Sequence, residues 1–448
     1  MQFIAPFDAV FLLAESRDQP MHVGSLQLFE PPEHAGADFA AQIYDRLLHY
    51  TDVDPTFRKR PATMLGRPQL AWTYAEEVDL AYHVRRLAVP RPGRIDQLVE
   101  LASTLHSHLL DRHRPLWEFH VIEGLADGRL ALYSKMHHAL IDGVSAQRLV
   151  RRTLTDDPSS TSPRVPWQAA RPHRHAKPGG GRSTARRLVS AAASAASLLD
   201  TARTALLRHQ LTLPCAAPHT MFNVPIGGAR RSVVGSWPLE RLRHVQKATG
   251  STVNDVALAM SAGALRRYLL DRNALPDKPL IAMVPVSLRC AGDQETNGVK
   301  VGATLCNLAT DIADPLDRLR VVSASMRDSK AVYRTLSHHQ TMALSAVLLS
   351  PLALTLVPAL MSWTSPTFNL VISNVPGSDE PLYWNGARLD ASYPLSIPFD
   401  GQAVNITLAS TAQNLDFGLV GCRRSVPQLP RLLEHLEDAL TELESAAP

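Results

Sequence analysis

Leu130-Ala131-Leu132-Tyr133-Ser134-Lys135-Met136-His137-His138-Ala139-Leu140-Ile141-Asp142-Gly143-Val144-Ser145 is the stretch from which the fold of this 448-residue chain can be read. Its first part, to Met136, is largely apolar and reads as a strand. Beyond it, Leu149 and Leu154 suit a helix that Ser145 caps. Upstream, Leu116 to Leu125 reads as a second strand, and Ala126-Asp127-Gly128 between the two is a hairpin signal. Further out, Ser25–Phe29 reads as a strand and Phe39–Tyr50 has helical spacing. Strands and helices alternating in this way predict an α/β fold.

The pattern between strand and helix, HHxxxDG, places an imidazole at a strand mouth. An ordinary imidazole has a pKa of about 6.5, so it can take and return a proton near neutrality. His138 is therefore the candidate general base, with His137 supporting it and pointing the other way if the backbone is extended there. Asp142 either orients His138, as in a triad, or braces the loop by an ion pair. Arg289, in Pro285-Val286-Ser287-Leu288-Arg289, is its candidate partner. Gly143 relieves backbone strain. No metal is expected at the histidine pair.

Gly250 to Asp255 opens a long helix through Leu270, and Thr252 and Asp255 have capping-box spacing. Capping explains part of Asn254 and Asp255; contact with substrate is the other reading. Ser373-Asn374-Val375-Pro376-Gly377 follows a strand from Phe368 to Ile372. It suits an active-site wall, an oxyanion donor or a plain turn. Leu280–Val286 reads as a buried strand, Ala403–Ala409 as another, and Val426–Leu443 as a closing amphipathic helix. Pro115-Leu116-Trp117-Glu118 opens the hairpin strand with an anchoring aromatic. A G-x-S-x-G elbow, a Walker A loop and a dinucleotide fingerprint are all missing, which disfavours serine hydrolases and nucleotide enzymes of those types.

Composition is globular, 45% hydrophobic and 20% charged. A net charge of +4 gives mild attraction to anionic surfaces and no nucleic-acid footprint. Four scattered cysteines (Cys215, Cys290, Cys306, Cys422) fit a reducing cytoplasm, and the N-terminus shows no signal peptide. The basic stretch from Asp156 to Arg182, ending in three glycines, reads as a linker. Thr184–His209 reads as an amphipathic helix that suits either a core or an anionic lipid interface. Met342–Met361 is free of charge but broken by Pro351 and Pro358. A span, buried helices, and a face that meets lipid or an acyl chain all suit it.

The chain resembles the bacterial wax ester synthase/diacylglycerol acyltransferase family of the CoA-dependent acyltransferase superfamily. The blocks that carry the likeness stand in family order: Pro6-Phe7-Asp8, Met21-His22-Val23-Gly24, PLWE at Pro115, HHALIDG at His137, Thr252-Val253-Asn254-Asp255, Gly263-Ala264-Leu265-Arg266, PVSLR at Pro285 and SNVPG at Ser373. The resemblance implies two chloramphenicol-acetyltransferase-like domains with the reaction centre in a tunnel between them. Its expected layout is a domain over 1–155, a linker with its helix over 156–220 and a second domain over 221–448. His138 matches the family's catalytic histidine and Asp142 its structural aspartate. The implied reaction is long-chain acyl transfer from acyl-CoA, as substrate and without a cofactor, to diacylglycerol or a fatty alcohol. Attachment to the inner membrane face or to lipid bodies is implied with it. Two rival expectations are a relative with a specialised acceptor or a carrier-bound donor, and a lipid-surface binder without turnover.

Overall fold

The computed structural model describes residues 2–64, 67–141, 143–161, 164–168, 216–287, 301–334, 336, 340–341, 344–345, 348 and 365–448. The strands in chain order are β1 (Gln2–Phe3), β2 (His22–Glu30), β3 (Lys59–Met64), β4 (Arg67–Tyr74), β5 (Val84–Ala88), β6 (Trp117–Glu123), β7 (Leu130–His137), β8 (Arg230–Pro238), β9 (Ile281–Ser287), β10 (Val301–Asn307), β11 (Leu370–Val375), β12 (Tyr383–Trp384), β13 (Ala387–Leu395), β14 (Val404–Ser410) and β15 (Asn414–Cys422). The helices are α1 (Pro6–Ala14), α2 (Phe39–Leu48), α3 (Leu80–His83), α4 (Ile95–Ser107), α5 (Gly143–Thr153), α6 (Leu239–Thr249), α7 (Val253–Leu270), α8 (Pro315–Arg334) and α9 (Arg431–Ala446).

Two six-stranded mixed sheets dominate. One runs β12-β13-β2-β7-β6-β5, the other β10-β9-β11-β14-β15-β8, and a small sheet β1-β4-β3 stands apart. The expected hairpin is present: β6 pairs antiparallel with β7, and Gly128 takes the positive φ of 79° that its turn needs. Every residue of β7 is buried. Leu130, Leu132 and Met136 face a cluster with Phe29, Phe119 and Trp117, while Ala131 and Tyr133 face one with Leu26, Leu28 and Val420 of β15. Each fully buried leucine of this kind contributes about 1.5–3 kcal/mol. β7 is thus clamped on both faces, and that fixes where its C-terminal histidines emerge.

The two halves interlock. β13, late in the chain, pairs with β2 through Arg388↔Glu30 to Leu395↔Gly24. Residues 383–395 thereby complete the sheet of the first half. The edge strand β8 finds its partners on α4: Ser232 N–H donates to Ser103 Oγ and Arg230 N–H to Ser107 Oγ, both at 2.9 Å. Those hydroxyls donate to the carbonyls of Val99 and Ser103, leaving lone pairs free for the strand. Unpaired N–H groups at a sheet edge are satisfied inside the molecule in this way.

At the junction of the sheets Asp416 is fully buried and accepts Ser392 N–H at 2.8 Å and Ser236 Oγ–H at 2.6 Å. Burial pushes its carboxyl up to about 7, against the pull of these two hydrogen bonds. An unfolded aspartate ionises near pH 3.9, so between about pH 4 and pH 7 the unfolded chain releases a proton that the folded chain keeps. Stability falls with rising pH across that window and levels off above it. Asp416→Asn keeps both hydrogen-bond partners and removes the ionisation. Its melting temperature is expected to match wild type at pH 4.5 and exceed it at pH 8; equal melting temperatures at pH 8 would refute the assignment.

Two sequence expectations are revised. The closing helix begins at Arg431, not Val426. Pro427 and Pro430 disfavour helical geometry in the residues before them, so Val426 and Leu429 enter the core from a turn. Helix α5 begins at Gly143, which places Ser145 inside its first turn instead of at the cap. Of the charge-free stretch 342–361, only Leu344, Ser345 and Leu348 are described, and all three are buried. The helix expected over 184–209 lies outside the described residues. No described helix is long and apolar enough to cross a membrane.

Candidate active site

His137 is the last residue of β7, and the chain turns at His138. Three backbone bonds fix that turn. His137 N–H donates to Leu116 O at 3.0 Å, His138 N–H to Met21 O at 2.9 Å, and Leu140 N–H to His137 O at 2.9 Å. Both neighbours of β7 in the sheet thereby position the pair, through the residues before β2 and before β6.

The two imidazoles have different surroundings. Ala139 N–H donates to His137 Nδ1 at 3.0 Å, so the proton sits on Nε2, which faces Glu15 Oε1 at 3.3 Å. His137 is fully buried and Glu15 nearly so. Glu15 also accepts Met21 N–H at 3.2 Å and is paired with Arg112 at 2.9 Å. Burial raises its pKa, but His137, Met21 N–H and Arg112 outweigh that and hold it below the usual range. One ionised carboxylate thus links His137, Arg112 and the residue whose carbonyl anchors His138.

His138 stacks on Phe11 of α1, with ring centroids 3.9 Å apart and planes at 17°. Phe11 also packs beside Met21, Val23, Ile397 and Phe399, so the ring stands where the two halves of the chain meet. His22, His106, His120 and His137 are at most 2% exposed, whereas His138 is half-buried. Burial, with the nearby Lys135 charge, pushes His106 down to about 3, and burial holds His22 well below its ordinary value. Those two are neutral framework groups. Of the five, His138 combines a fixed backbone with access.

A cavity of about 620 Å³ opens against the turn that follows it, lined by Ala139, Leu140 and Ile141 and by Asp8 of α1. Asp142 and its candidate partner Arg289 lie outside the described residues. Gly143 opens α5. In the second sheet Asn374 Nδ2 donates to Asn254 Oδ1 at 3.1 Å, bringing those two predicted residues together. Asp255 is spent on capping α7: its carboxylate accepts Thr252 N–H, and Thr252 Oγ1 accepts Asp255 N–H. Ser373 is half-buried on β11. Gly377 has a steric reason, since a Cβ there would lie 1.5 Å from Ser410 O. Trp117 anchors: it stacks on His83 and Trp167, and its Nε1–H donates to Phe57 O at 2.9 Å.

Residues 4–257 match the wax ester synthase/diacylglycerol acyltransferase catalytic domain, and residues 297–444 match the C-terminal domain of the same family. The chain belongs to this family. A Mycobacterium tuberculosis H37Rv protein named "probable diacylglycerol O-acyltransferase tgs2" is 55% identical over 451 residues, spanning all of this chain and 99% of the relative. The wax ester synthase/diacylglycerol acyltransferase of Marinobacter aquaeolei VT8 superposes with a TM-score of 0.81 at 41% identity, covering both chains completely. The first condensation domain of the calcium-dependent antibiotic synthetase shares the fold alone, with a TM-score of 0.60 and 17% identity over all of this chain and 97% of that one.

In this family member the sequence signals missed Glu15, Arg112, Glu118 and Lys135 as members of the site's scaffold. The available signal was charge inside otherwise apolar elements. Glu15 follows Phe11-Leu12-Leu13-Ala14, and Lys135 interrupts an apolar strand.

Proposed function

We propose that the protein is an O-acyltransferase that moves a long-chain acyl group from acyl-CoA to diacylglycerol, with fatty alcohol as a second acceptor. The reading rests on one observation above others: a half-buried His138, fixed through its backbone and stacked on Phe11, at the meeting of the two halves and with a cavity against the turn that follows it. The His138 imidazole removes the proton as the alcohol oxygen attacks the thioester carbonyl. The tetrahedral intermediate collapses with cleavage of the carbon–sulfur bond, and the imidazolium returns the proton to the departing thiolate. No acyl-enzyme is needed. Positioning of the two substrates supplies much of the rate. His137 and Glu15 act as positioning groups, and Asp142 with Arg289 braces the loop. Asn254 and Asn374 serve as polar groups on the substrate path. Peripheral attachment to a lipid surface completes the proposal, since both the acceptor and the product are lipids.

The test is purified protein with palmitoyl-CoA and either diolein or hexadecanol, following thiol release and neutral-lipid product. Triacylglycerol formation that depends on both substrates is the expected result. Turnover only with acyl carrier protein as donor, or only with another acceptor class, would replace this reading. Binding to lipid vesicles without transfer to any acceptor would overturn it.

A further inference from the structure

The cavity beside the His138 turn has a second wall that general base chemistry does not use. Lys59 of β3, Arg152 of α5 and Arg164 all line it. None of the three makes an ion pair or a side-chain hydrogen bond among the described residues, and both arginines are exposed. Two carboxylates, Asp8 and Asp54, line the same cavity, and Asp54 accepts Thr56 N–H at 2.8 Å, so the cations outnumber the acids by one. Three cations that line one concavity of about 620 Å³ and have no side-chain partner among the described residues make a site for a small polyanion, because pockets of this size take small ligands and charge-assisted bonds to phosphate are strong.

The position narrows the ligand. Two elements that hold His138 also bound the cavity: its own turn through Ala139, Leu140 and Ile141, and α1 through Asp8. Ala139 and Leu140 follow His138 directly, so a ligand seated there lies against the turn that carries the imidazole. We propose that Lys59, Arg152 and Arg164 bind the phosphates of the nucleotide end of acyl-CoA and orient the thioester toward His138. This rests on the reading of acyl-CoA as the donor. An anionic lipid headgroup offers the same phosphate chemistry, so the experiment separates the two.

The variant is Lys59→Ala/Arg152→Ala, two substitutions without partners to orphan, so its melting temperature should match wild type. Initial rates are measured with palmitoyl-CoA and with palmitoyl-N-acetylcysteamine, a thioester without phosphates. The ratio of kcat/KM for the first donor over the second is expected to fall by roughly tenfold or more, the loss lying in KM for palmitoyl-CoA. Calorimetric titration with free CoA should weaken by a similar factor. An unchanged donor ratio together with unchanged CoA affinity overturns the proposal. So does a variant that loses binding to anionic phospholipid vesicles while keeping both donor values, which would assign the site to lipid phosphate. Should the wild type transfer from neither donor, the enzymatic reading fails; CoA binding and its loss in the variant still decide the site.

Discussion

Replacing His138 with alanine is expected to slow acyl transfer from palmitoyl-CoA to diolein by about 10²–10⁴-fold, the range that one general acid–base group supplies. The fold should survive. The ring is half-buried, its backbone N–H bond to Met21 O does not depend on the side chain, and the stack on Phe11 is worth about 0.5–1.5 kcal/mol. A slow enzyme with a near-native melting temperature is the signature. His137→Ala should behave differently. It removes the acceptor of Ala139 N–H and the group facing Glu15, leaving a buried donor unsatisfied at about 1–3 kcal/mol. Stability and activity should then fall together. A His138→Ala protein that makes triacylglycerol at the wild-type rate would end the general-base assignment.

What could be read from the sequence was what local patterns encode. The turn around Gly128, the capping box of Thr252 and Asp255, and the strand that delivers His137 and His138 each depend on neighbours a few residues away. The pairing of β13 with β2 joins residues more than 350 positions apart, and no local periodicity carries it. The start of the last helix was misread because apolar spacing continues through Val426 and Leu429, while Pro427 and Pro430 decide the backbone. The scaffold of the histidine turn was illegible for another reason. Charged residues in strands ordinarily face solvent, and only the fold shows that Glu118 and Lys135 face each other, and that Glu15 meets Arg112 and His137.

Glu118→Ala is expected to be the most destabilising single change in this scaffold, by about 3–5 kcal/mol, the usual result of removing one partner from a buried pair. Lys135 is 1% exposed, three residues before His138 on β7. Its ammonium has three protons and three acceptors: Glu118 Oε2 at 3.1 Å, and the carbonyls of Leu105 and His108 at 3.0 Å each. The two carbonyls belong to the C-terminal end of α4, where a cation also complements the helix dipole. Burial lowers the Lys135 pKa, and Glu118 offsets part of that shift. Burial likewise works against ionisation of Glu118, yet contacts with His120 and Lys135 bring its pKa down to about 2. At neutral pH Glu118 is therefore a carboxylate, 3.1 Å from Lys135 Nζ. Alanine at 118 strands the ammonium among neutral groups. Lys135→Met removes the charge instead, but leaves Glu118 with His120 and Arg85 and frees two helix carbonyls. The double change Glu118→Gln/Lys135→Met should thus cost less than the sum of the single changes, because neither buried charge remains. Urea unfolding of wild type, both single variants and the double variant measures this coupling. A loss below about 1 kcal/mol for Glu118→Ala would show the pair to be solvated, and β7 would then need another anchor to hold His138 in place.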